Sequence, residues 1–232
     1  MKYTMIILMT LVNSLYGFVG FGVTGGVNTI NNSGGVSPII ISDPDELETT
    51  IGDFTNDGFK GATSLGGYLY VDALPFVDID FEVGVEVAPY KFSINVQEGE
   101  SKEDLPFVWA SGYYYLTVQK KIIQVKVPLL AKAKLFGGLG VHNHTSTPMI
   151  NQRMLESVMD GGIEEGTLDE SKMIDYLDEN KISNGGLHLQ LGAQLKLFTF
   201  DTMLIYRYVF TDGITPDTNN FSNISLRFGL GF

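Results

Sequence analysis

Apolar and polar residues alternate one for one along much of this 232-residue chain. A period of two marks a strand with unlike surroundings on its two faces. Eight such stretches are predicted. The first covers about 18–30, with Val19, Phe21, Val23 and Val27 opposite Gly20, Gly22, Thr24, Gly26 and Asn28. The second, about 61–72, sets Leu65, Leu69 and Val71 against Tyr68 and Tyr70. In the third, Ile79, Phe81, Val83, Val85 and Val87 alternate with Asp80, Glu82, Gly84 and Glu86. The fourth, about 105–123, carries Leu116 and Val118 opposite Thr117, Gln119 and Lys121. The fifth, about 130–143, opposes Ala131, Ala133, Leu135, Leu139 and Val141 to Lys132, Lys134, Phe136 and His142. The sixth, about 186–198, alternates leucines with His188, Gln190, Gln194 and Lys196. The seventh spans about 202–211 and the eighth about 221–232. The boundary between the fourth and fifth is the least defined; a further split there would give nine strands.

Long and short connections take turns. The long ones cover about 31–60, 97–104, 144–185 and 212–220, and the short ones lie near Pro75, Pro128 and 199–201. Membrane barrels pair short periplasmic turns with longer outer loops in this way. The third long connection carries helical signals. Ser146 and Thr147 ahead of Pro148 would cap a helix over about 149–158. A capping box at Thr167 and Glu170 would start a second, ending near Asn180.

In the last stretch Ile224, Leu226, Phe228, Leu230 and Phe232 share one face, and Asn223, Ser225, Arg227, Gly229 and Gly231 the other. This apolar face ending on an aromatic residue resembles the closing strand of bacterial outer-membrane β-barrels, here the small OmpX and OmpA type. The resemblance implies an all-β fold: an eight-stranded antiparallel up-and-down transmembrane β-barrel with long extracellular loops. It implies an outer-membrane location with both termini periplasmic, and contact with outer-membrane lipid and lipopolysaccharide. It further implies that Phe232, Leu230 and Phe228 form the signal read by the barrel assembly machinery. It covers nearly the whole mature chain but specifies no activity. Residues 1–17 fit a secretory leader, with Lys2 before an apolar core and small residues at Ser14 and Gly17. Cleavage after Ser14 or Gly17 is plausible, Gly17 being preferred, which leaves 18–232 as the barrel, expected to act as a monomer.

Composition adds restrictions. The absence of cysteine excludes a disulfide framework and thiolate metal sites. A net charge of −12 argues against nucleic acid as a partner. All acidic residues except Asp72, Asp78, Asp80, Glu82, Glu86 and Asp201 fall in the four long connections, which hold only Lys60, Lys102, Arg153, Lys172 and Lys181 as bases. The outer end is therefore expected to be negative and able to bind divalent cations that bridge lipopolysaccharide. Asp53 to Gly58 matches part of a calcium loop, but Thr55 and Ser64 stand where ligands are needed.

The polar faces hold charges of both signs: Asp80, Glu82 and Glu86 against Lys132, Lys134, Lys196, Arg207 and Arg227. An eight-stranded barrel is about wide enough for side chains to fill, so these charges are expected to pair and plug the lumen. His142, His144 and His188 fall on the inward faces of neighbouring strands, as polar lining or as metal ligands. The run His144-Thr145-Ser146 resembles the His-x-Ser of outer-membrane lipid A deacylases, with Glu156 as a third member. The following Thr147-Pro148 departs from that family's pattern, and His144 takes the inward parity. No phosphate loop or dinucleotide fingerprint appears, so neither an enzyme nor a cofactor is expected. The function expected is a structural or interaction barrel with a filled lumen and acidic loops; the alternative is a narrow passive channel for small polar solutes.

Overall fold

The computed structural model describes residues 19–41, 49–72, 76–97, 101–127, 130–160 and 167–232. The leader expected over 1–17 lies outside them. The strands are β1 (Val19–Asn32), β2 (Gly35–Ile41), β3 (Thr49–Asn56), β4 (Phe59–Val71), β5 (Asp78–Val96), β6 (Lys102–Val127) and β7 (Ala131–Ser146). After them come α1 (Gln152–Val158), β8 (Met159–Asp160), β9 (Thr167–Leu168), α2 (Glu170–Glu179), β10 (Ile182–Leu197), β11 (Phe200–Thr215) and β12 (Thr218–Gly231).

Eight strands close a ring in the order β1-β4-β5-β6-β7-β10-β11-β12, each antiparallel to its neighbours. Closure occurs where β1 meets β12, from Gly20 opposite Gly231 to Asn28 opposite Asn223. Closure is what an apolar solvent demands, because an open edge there leaves backbone groups without partners. The outward positions form an apolar belt: Leu65 is 66% exposed, Leu139 63% and Leu191 57%. The inward positions beneath them are polar and buried, among them Asp80, Glu82, Arg207 and Arg227. This inside-out polarity makes the ring a transmembrane barrel; soluble monomers rarely expose so much contiguous apolar surface.

The strands run further than predicted. The 97–104 connection shrinks to the link between Val96 and Lys102, and 212–220 becomes a hairpin with its turn at 216–217. The 31–60 stretch is no plain loop: it contains the β2–β3 hairpin, and β3 pairs with the upper part of β5. The reason is a reversal of polarity along β1, β4, β5, β6, β11 and β12. On β5, Val83, Val85 and Val87 point outward, but above them Ala88, Tyr90, Phe92 and Ile94 are the buried set. The outer parts of the strands leave the belt and wrap an apolar core instead, so the apolar-out pattern ends while the strand does not. That core joins Ile30, Phe54, Phe59, Tyr90, Trp109 and Phe221 to Met154, Leu155 and Val158 of α1. A bulge between Lys121 and Ile123 shifts the phase of β6, which then continues to Val127 as one strand. The ring thus has eight members and not nine.

Both helices of the third connection exist, with caps other than those expected. Asn151 caps α1, its side chain accepting from Met154 N at 3.0 Å; Ser146 closes β7 instead. Asp169 caps α2 by accepting from Ser171 N and Lys172 N at 2.8 and 3.2 Å. Thr167 is drawn into the β8–β9 ladder, where it pairs with Asp160, so the expected capping box does not form.

Candidate functional site

Alternation sends every second side chain of the ring inward, where three polar tiers stack along the axis. The middle tier is the tightest. Arg227 reaches Asp80 through Nη1 and Nη2 at 2.6 and 3.0 Å, and its Nη2 also bonds Glu82. Arg207 Nη2 meets the same Glu82 carboxylate at 2.6 Å, while its Nε donates to Gln190 Oε1 at 2.7 Å. Tyr113 donates its hydroxyl to Glu82 at 3.1 Å. Each guanidinium also lies over an aromatic face, Arg207 at 4.2 Å from the Tyr115 ring and Arg227 at 4.7 Å from that of Tyr68. All four charged residues are buried. In so dry a setting only paired and hydrogen-bonded charges are tolerable.

The expected single network is divided. Lys132 and Lys134 do not reach Glu82; they form a lower tier with Asp72 and Asp78, at 2.6 Å for Lys132–Asp72 and 2.7 Å for Lys134–Asp78. Asp201 belongs to this end, bonded by the Tyr70 hydroxyl and, at 2.6 Å, by Gln194 Nε2. Lys196 sits level with Lys132 and is bonded to no carboxylate among the described residues.

Glu86 belongs to an upper tier with the histidines. His144 Nδ1 lies 3.5 Å from Glu86 Oε2. Tyr115 bonds His144 Nε2 at 3.1 Å, and Thr117 bonds His188 Nε2 at 2.8 Å. The rings of His142 and His144 lie 5.3 Å apart, those of His142 and His188 6.1 Å. Room for them comes from Gly140 and Gly186: a Cβ there would stand 2.7 Å from His188 and 3.0 Å from His142. The His142 ring nitrogens and the Glu86 oxygens have no hydrogen-bond partner among the described residues. Among the described residues no three His, Asp or Glu side chains are grouped to hold a metal ion.

The hydrolase-like trio is not assembled. His144 faces the lumen, Ser146 Oγ bonds Ser111 Oγ at 3.0 Å, and Glu156 is exposed and bonded to Gln152 at 2.5 Å. Asp53, of the calcium-like run, is part of β3 and pairs in register with Pro38 and Asn95. Sequence reasoning missed Asp72, Asp78, Asp201 and the tyrosines that complete the tiers. Asp78 shares the parity of Asp80 and Glu82 and was within reach of the same argument; which lysine it meets required the ring to close. At the tail, Phe228, Leu230 and Phe232 keep the outward parity, Phe232 stacking 6.2 Å from Phe21.

No family model matches the chain, and neither does any curated protein. Several solved outer-membrane proteins resemble it loosely. OprG of Pseudomonas aeruginosa is 13% identical, with 94% of this chain and 98% of that chain covered at a TM-score of 0.43. Ail, the attachment invasion locus protein of Yersinia pestis, in complex with the heparin analogue sucrose octasulfate, is 10% identical over 93% and 99%, at 0.39. The protease OmpT of Escherichia coli is 8% identical over 93% and 94%, at 0.32. The architecture rests on the chain's own closed ring: it is an eight-stranded up-and-down transmembrane β-barrel, the fold of the small outer-membrane barrels.

Proposed function

We propose that this protein is a sealed barrel of the bacterial outer membrane, both termini periplasmic, that holds a folded, acidic head outside the cell in a structural or interaction role. The observation that supports the seal is the stacking of two unlike barriers. Arg207, Arg227, Asp80 and Glu82 tie opposite walls of the ring together, and above them α1 inserts Met154, Leu155 and Val158 into an apolar core. An ion would have to break paired charges and then cross a dry cap. The alternative of a narrow channel finds no support in this arrangement. The acidic outer surface suits divalent cations shared with lipopolysaccharide phosphates, and basic partners. Phe232, with Phe228 and Leu230, serves the assembly machinery as a recognition signal, and the barrel acts as a monomer.

The test is conductance in planar bilayers by protein whose heat-modifiable gel mobility shows a folded barrel. Silence is expected, together with discrete openings in an Arg227→Ser variant that also lacks residues 152–158. Steady openings by the unaltered protein would make it a channel.

A further inference from the structure

At the end of the barrel that carries Val19 and Phe232, three lysines stand in a row. Lys126 of β6 is the direct register partner of Lys132 of β7, and Lys132 is that of Lys196 of β10. Like charges directly opposite on neighbouring strands repel. The acids nearby offset the row only in part, since Asp72, Asp78 and Asp201 stand against Lys126, Lys132, Lys134 and Lys196. Asp72 bonds Lys132 at 2.6 Å and also lies 3.6 Å from Lys134. Asp201, the cross-strand partner of Lys196, is held by Tyr70 and Gln194. Lys126 and Lys196 are bonded to no carboxylate among the described residues.

The row borders a cavity of about 450 Å³ whose other walls, Thr199 apart, are apolar, with Leu130, Phe198 and Phe232 among them. Its frame is fastened by backbone bonds: Phe198 N donates to Leu130 O at 3.0 Å, and Gly231 N to Thr199 O at 2.8 Å. Phe198 occupies the tight turn between β10 and β11 with φ of 56°, a costly conformation for a bulky side chain. Its ring is 66% exposed, and Phe232 beside it is 53% exposed. The lysines keep the inward parity and open on the mouth of the barrel, where the cavity brings them beside the outward rings at the edge of the apolar belt.

We propose that Lys126, Lys132 and Lys196, with Phe198 and Phe232, bind the phosphate of an anionic phospholipid in the leaflet on this side, its acyl chains running up the belt. The excess of positive charge selects an anionic lipid over a zwitterionic one, and the rings give the chains a wall. The site depends on the bilayer placement argued above.

The experiment uses the full barrel in phosphatidylcholine vesicles doped with spin-labelled phosphatidylglycerol or spin-labelled phosphatidylcholine. The lipid held at the protein surface is read as the motionally restricted signal. Preference for phosphatidylglycerol is expected, with each lysine worth about fivefold. Lys126→Gln with Lys196→Gln should abolish it, and the two arginine replacements should keep it. Heat-modifiable mobility confirms that each variant is folded; single Lys126→Gln, at an exposed position, gives the same reading if the double variant is not. Equal restriction of both lipids by the unaltered protein, or unchanged preference in the glutamine variants, overturns the site. Displacement by inorganic phosphate, but not by chloride of equal ionic strength, would make the ligand a soluble anion and overturn the lipid. No restricted signal from either lipid would instead mean that the barrel is not in the bilayer.

Discussion

Glu82 and Glu86 share the inward face of β5, yet the lumen treats them differently. Glu82 receives Arg207, Arg227 and Tyr113, whereas among the described residues both Glu86 oxygens lack hydrogen-bond partners and His144 stands 3.5 Å away. Removing one member of a buried, hydrogen-bonded pair strands the other, at about 3–5 kcal/mol. Glu82→Gln should therefore lower stability by about that amount. Glu86→Gln should leave it unchanged or raise it, because no hydrogen bond among the described residues depends on that carboxyl group. Urea unfolding in lipid vesicles, followed by Trp109 emission, measures both. Equal losses would mean that the two carboxylates are equally supported. The sequence placed both on the inward face with the arginines; which cation meets which carboxylate depends on register between strands, those of Arg207 and Arg227 lying more than a hundred residues from Glu82.

At the scale of elements, the outer head is a second small fold built from strand extensions, one hairpin and two helices. Tyr90 is its hinge pin: the hydroxyl accepts from Ile150 N at 3.0 Å and ties β5 to the chain entering α1. Burial pushes its pKa up to about 12, partly offset by that backbone bond. A raised value means that the folded state holds the proton more tightly than the unfolded one. The stabilisation is therefore complete below about pH 10 and fades as the pH climbs towards 12. Trp109 packs 5.3 Å from Phe59 in the same core and should redden over that window as the head loosens. Tyr90→Phe removes the ionisation, so its transition should shift to higher pH or flatten. An identical alkaline transition in the variant would assign the change to another group. The helix ends teach a related lesson. Asp169 and Asn151 displaced the caps expected from Thr167 and from Ser146 with Thr147, because strand pairing holds Thr167 and Ser146 and a backbone bond to Ala110 O holds Thr147.

For the whole molecule, the proposed assembly signal can be tested apart from closure of the ring. Phe232 N donates to Val19 O at 2.9 Å, a backbone bond that survives a change of side chain. The ring itself adds a contact with Phe21 and part of the wall of the open cavity at the barrel end. Phe232→Ala should therefore reduce the amount of assembled barrel in membrane fractions while scarcely moving the urea midpoint of the barrels that do form. A large fall in midpoint with normal yield would make the residue a structural staple and not a signal.

The alternation alone determined eight amphipathic ring strands, the face each side chain takes, and the meeting of opposite charges inside. Those follow from a period of two, which is local and needs no partner strand. The tertiary structure decided what local pattern cannot reach. It divided the charges into three tiers, because tier membership depends on register between strands distant in sequence. It lengthened the strands beyond the belt, because there the solvent changes from hydrocarbon to water and the apolar face turns inward. It also aligned Lys126, Lys132 and Lys196, since three lysines on three strands become a row only once β6, β7 and β10 are paired.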